Sequence, residues 1–121
     1  YKDLKVWQKA YKICLEIYKL TKEFPRQEIY SLISQLRRSA VSIPCNIAEG
    51  YGRKTTTEYI RFLYIAYGSY CELETQILLS RDLGYIKAEQ MNQFQTKMIE
   101  VERMLKALIK SLEKKCLSQN K

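Results

Sequence analysis

The chain has 121 residues, with 21 lysines and arginines against 13 acids and no histidine, a formal net charge of +8. That length suits one domain with one core, spanning residues 1–121, and the basic surplus favours RNA, DNA or another polyanion as partner. The missing histidine removes the commonest general base and the commonest metal ligand together. The four cysteines, Cys14, Cys45, Cys71 and Cys116, form no CxxC pair, which excludes zinc knuckles and thioredoxin-like motifs. Cys14 and Cys71 fall among apolar residues at helical spacing and read as reduced core thiols. No apolar run reaches the ~18–20 residues of a membrane span, no signal segment precedes Tyr1, and the expected location is the cytoplasm.

The first amphipathic segment runs from about Asp3 to Glu23. Leu4, Trp7, Tyr11, Cys14 and Tyr18 form one stripe, and Val6, Ala10, Ile13, Ile17 and Leu20 a second beside it. Together they predict an apolar face wide enough for a multi-helix core. Phe24-Pro25 ends it.

The second segment runs from about Glu28 to Glu49. Leu32, Leu36, Ala40, Ile43 and Ile47 keep helical phase straight through Pro44. A proline removes one backbone donor and crowds the carbonyl four residues back. The surviving phase therefore predicts a continuous helix kinked at Pro44, with the hydroxyls of Ser39 and Ser42 available to the disturbed backbone. Gly50-Tyr51-Gly52 supplies a C-terminal stop.

Thr55 and Glu58 have capping-box spacing and open a third helix. Tyr59, Phe62, Leu63, Ala66, Tyr70, Leu73 and Ile77 mark its apolar side. Gly68-Ser69 costs helix propensity in the middle, for which a close approach of two backbones is the expected return. Gly84 closes the helix. A fourth segment, from about Lys87 to Lys115, steps through Met91, Phe94, Met98, Val101, Leu105, Leu108 and Leu112, and Ser118 to Lys121 are expected to fray. The prediction is an all-α, antiparallel up-down-up-down four-helix bundle with short connections.

Several ordered motifs carry a family resemblance over nearly the whole chain: YKDLKVWQKAY at the start, FP at 24–25, SQLRRSAVSIPCNIAEGYGR at 34–53, YIRFLYIAYGSYCELETQ at 59–76 and LGYI at 83–86. The chain resembles the four-helix-bundle proteins encoded in intervening sequences of bacterial 23S ribosomal RNA genes. It is also similar to the accessory variability determinant of diversity-generating retroelements, a basic bundle that engages nucleic acid and a reverse transcriptase. The resemblance implies a bacterial, cytoplasmic homo-oligomer, a pentamer, with no enzymatic activity and no cofactor.

Two lysine-rich stripes are the candidate nucleic-acid surface: Lys5, Lys9, Lys12 and Lys19 in the first helix, interrupted by Glu16, and Arg103, Lys106, Lys110 and Lys114 in the fourth. The net charge is +3 over residues 1–24, +3 over 25–54, −2 over 55–84 and +4 over 85–121. Positive charge is thus drawn away from the third helix, as a phosphate-tracking surface requires; a merely solvated face has the same pattern. Arg53-Lys54, beyond the glycine stop, is a further candidate. Arg37, Arg38 and Arg61, with Asn46, Glu49, Glu72 and Glu74, read instead as structural or subunit contacts around Pro44, because buried charges must be paired. Tyr11, Tyr18, Tyr59 and Tyr70 read as half-buried at core margins, and Tyr51 as the tyrosine most open to a ligand.

No catalytic constellation emerges. Glu72 and Glu74 are two residues apart and cannot share a helix face. GYG at 50–52 lacks the flanking pattern of a P-loop. Two functions remain: a nucleic-acid-binding oligomer, or a structural adaptor that docks a protein partner.

Overall fold

The computed structural model describes residues 1–119. Its elements are α1 (Lys5–Thr21), a 3-10 turn (Arg26–Glu28), α2 (Leu32–Tyr51), α3 (Thr56–Asp82) and α4 (Ala88–Gln119). The protein is an all-α four-helix bundle. α1 packs on α2 and α4, and α3 packs on the same two helices, so four seams enclose one core. Ile17, Leu36, Ile47, Leu63, Leu73 and Leu105 are wholly buried there, each contributing about 1.5–3 kcal/mol relative to exposure.

The helix boundaries have local causes. Thr55 Oγ1 accepts the Glu58 backbone N–H at 3.2 Å and caps α3, satisfying one of the backbone donors that the start of a helix leaves unpaired. At the other end Gly84 adopts φ +83°. The Gly84 N–H then reaches Arg81 O and the Tyr85 N–H reaches Ser80 O, both at 2.9 Å, a paired closure that needs a left-handed residue.

α2 is continuous from Leu32 to Tyr51 with Pro44 inside it and buried. The nearby hydroxyls do not serve the carbonyl that Pro44 leaves without its donor. Ser39 Oγ can donate to Gln35 O at 3.0 Å or to Gln76 Oε1 of α3 at 2.9 Å. Ser42 Oγ lies 2.7 Å from Ser69 Oγ of α3, and Asn46 Nδ2 donates to Ser42 O at 2.8 Å and Ser42 Oγ at 2.9 Å. Ser39 and Ser42 thus stitch α2 to α3, and Asn46 braces Ser42 from within α2. The α2–α3 seam is also the most extensive of the four, and small residues explain why.

Gly50 gives the sharpest example. It lies inside α2 rather than stopping it, and a Cβ there would stand 2.8 Å from Phe62 Cβ. Of the Gly68-Ser69 pair, Ser69 makes a close contact with α2, through Ser42, and Gly50 makes another, while a Cβ at Gly68 would meet nothing within 4 Å.

Three further expectations are corrected. In α1 the stripe of Val6, Ala10, Ile13, Ile17 and Leu20 is buried, whereas in the stripe beside it Leu4, Trp7 and Cys14 are half-buried against the core and Tyr11 and Tyr18 are exposed. Cys71 is exposed and Cys14 half-buried, and all four cysteines are free thiols. Burial pushes the Cys14 thiol up, with a smaller contribution from Cys45 nearby. Ser118 belongs to α4, which continues to Gln119; Asn120 and Lys121 lie outside the described residues.

Candidate nucleic-acid interface

The lysines of α1 do not form one uniform stripe. Lys5, Lys12 and Lys19 are exposed, but Lys9 Nζ lies 2.7 Å from Glu100 Oε1 of α4. Two turns further along, Glu16 takes Lys97 of α4 as its partner. Lys9 and Glu16 thus belong to the seam between the first and last helices, and their charges are locally balanced.

On α4, Arg103, Lys110 and Lys114 point away from the core and are exposed. None of the three pairs with an acid among the described residues. Lys106 differs. Its Nζ lies 3.6 Å from Glu102 Oε2 and 5.3 Å from the centre of the Tyr67 ring. The Tyr67 hydroxyl first, and the Glu102 charge second, hold the Lys106 ammonium above the ordinary lysine range. Lys115, which the sequence pattern passed over, lines a shallow depression with Lys110 and Lys114. The Lys114-Lys115 doublet was the signal that could have included it.

Arg53 and Lys54 are both exposed, yet Arg53 is already engaged. Arg53 Nη2 lies 2.6 Å from Glu49 Oε1, and its Cζ sits 4.5 Å from the centre of the Phe62 ring. Arg61 takes the same ring at 4.7 Å and pairs with Glu58 at 3.0 Å. These two arginines clamp the turn between α2 and α3, a cation–π arrangement worth about 0.5–1 kcal/mol per contact at exposed sites. Glu49, expected to be buried, is exposed.

Arg37 and Arg38 do not meet Glu49, Glu72 or Glu74 within the chain. Arg37 Nε donates to Thr21 Oγ1 at 3.0 Å and its Cζ lies 4.7 Å from the centre of the Tyr18 ring. Thr21, absent from every sequence expectation, is buried and donates in turn to Ile17 O at 2.7 Å. Arg38 is exposed. Glu74 accepts from the Tyr70 hydroxyl at 3.2 Å, and Glu72 has only Ser39 Oγ, at 3.4 Å. Of the tyrosines, Tyr59 is half-buried as expected, Tyr70 is wholly buried, and Tyr51 is exposed.

What this surface can do is electrostatic. Exposed ammonium and guanidinium groups on a rigid helix can follow a phosphate backbone. Among the described residues no group of three cysteines or acids could hold a metal ion, and no helix is long and apolar enough to cross a membrane.

Comparison with known proteins places this arrangement. No curated protein matches the chain. A crystal structure of a protein of unknown function from the S23 ribosomal protein family of Bacteroides thetaiotaomicron is similar, with a TM-score of 0.80 and 27% identity over 87% of this chain and 98% of that one. The model of a family described as 23S rRNA-intervening sequence protein matches residues 2–107. That match takes in all of α1, α2 and α3 and most of α4, and the chain belongs to the 23S rRNA-intervening sequence protein family.

Proposed function

We propose that the protein is a non-enzymatic, cytoplasmic, self-assembling bundle, a pentamer, that binds RNA or DNA through the outer face of α4 and the unpaired lysines of α1. The observation that carries this reading is the run of Arg103, Lys110 and Lys114, exposed and without acidic partners among the described residues. Lys9, Lys97 and Lys106 each pair with an acid, whereas the three of this run do not. Repetition of the face around an oligomer would raise avidity without new contacts. A nucleic-acid-associated protein such as a reverse transcriptase is the protein partner that goes with this role.

Fluorescence anisotropy against structured RNA and duplex DNA over a salt series tests it. Binding that weakens linearly in log–log form with salt is expected. No binding at low ionic strength, or binding without a salt slope, sinks the proposal.

A second reading, a structural adaptor that docks a protein partner, is favoured by the exposed Tyr11, Leu15 and Tyr18 of α1. A stoichiometric protein partner that survives nuclease treatment would select it.

A further inference from the structure

Two of the surfaces that present apolar side chains to solvent differ in charge. Along α1 and α2 the exposure ranges from 36% at Val41 to 56% at Leu15, with Tyr11 and Tyr18 between them. Arg37 and Arg38 flank a depression on this face beside Tyr18 and Val41, and neither has a carboxylate partner among the described residues. Along the outward side of α3, Ile65 and Leu79 are 41% and 50% exposed. Glu72 lies between them on the same helix face, with no cation near its carboxylate among the described residues. Residues 55–84 carry a net charge of −2.

Gly68 sits in the middle of that outward α3 face. A Cβ there would meet nothing within 4 Å, so no contact within the chain explains a glycine that lowers helix propensity. A missing side chain on an exposed helix face admits close approach of another backbone or ring. It sits one turn from both Ile65 and Glu72.

We propose that copies of this chain join head to tail, the outward face of α3 on one copy docking against the α1–α2 face of the next. This rests on the self-assembly proposed above and names the surfaces that perform it. Burial of the two apolar faces supplies the drive, Arg37 and Arg38 opposite Glu72 set the register through charge-assisted bonds, and Gly68 permits the close approach. The occupant is a second copy because the molecule itself carries the complement of each face. Since the faces are different, the contact is heterologous, which closes into a ring or propagates.

Light scattering on two variants and their mixture tests the proposal. Gly68→Gln enters open space in the free chain, so the variant stays folded by circular dichroism. Arg38→Glu changes an exposed residue on the α1–α2 face. Each alone is expected to drop from the oligomer to the 14.4 kDa monomer mass. Mixed, they are expected to form a capped one-to-one dimer, twice the monomer mass, because each supplies the face that the other lacks. Variants that keep the oligomer mass, or monomeric variants that stay monomeric when mixed, overturn the proposed pairing while leaving self-assembly intact. A wild-type chain that is already monomeric overturns self-assembly too, and shows it before any variant is made.

Discussion

At Gly50 the space for one methyl group is taken by the β-carbon of Phe62 and the carbonyl of Tyr59, 2.8 and 3.1 Å from where a Cβ would be. Neither is the free end of a flexible side chain, so Gly50→Ala must push α2 from α3. A loss of about 1–3 kcal/mol is expected, read as a fall in the urea midpoint. Tyr70 makes a different prediction. Its ring is wholly buried and its hydroxyl donates to Glu74. Burial first, then the charges of Glu74 and Glu102, hold its ionisation well above the ordinary tyrosine range. In the unfolded chain a tyrosine releases its proton near pH ~10, so above that pH the folded state holds the extra proton. Stability is then full below pH ~10 and falls as pH rises further. Tyr70→Phe should flatten that alkaline fall, measured by denaturant titrations from pH 8 to 11. Neither role was legible in the sequence. Gly50 and Gly68 look alike as helix glycines, and only the neighbouring helix decides which one is crowded.

Among the elements, α3 depends most on its first turn. Thr55→Ala deletes the acceptor for the Glu58 N–H and should cost about 1 kcal/mol, again measurable in urea, with little change in helix content at low temperature. This cap was readable in advance because capping chemistry is local, spanning three residues. So was the closure at Gly84, which needs only a left-handed residue after the last turn. The stripe through Ile43 and Ile47 likewise gave a helix continuous across Pro44. What periodicity could not supply was the width of the α1 face. An apolar stripe has the same spacing whether it meets a neighbour or water, and Tyr11 and Tyr18 meet water. Nor could it divide the lysines of α1 and α4, since Lys9 and Lys106 are distinguished from Lys12 and Lys110 only by acids that folding brings beside them.

For the whole molecule, that division becomes a measurement. Lys110→Gln with Lys114→Gln removes two exposed, unpaired charges. If both contact phosphate, the pair should reduce the slope of log affinity against log salt by about 2. Lys9→Gln with Lys106→Gln removes the same formal charge from positions already balanced by Glu100 and Glu102, and should change the slope far less. Because the chain has no histidine, no imidazole changes its charge between about pH 6 and 8, and binding should vary little with pH across that range.

The seam between α1 and α4 also bears on the order in which the molecule assembles. It is the leanest of the four seams, and its two ion pairs, Lys9–Glu100 and Glu16–Lys97, lie partly in solvent. Pairs of that kind contribute about 0–1 kcal/mol and weaken as salt rises. Yet the second joins residues 81 apart in sequence, a separation whose loop closure is costly until the intervening helices have docked. The first and last helices are therefore expected to meet last during folding and to part first during opening, so amide exchange along the facing sides of α1 and α4 should speed up with added salt before it does elsewhere in the bundle.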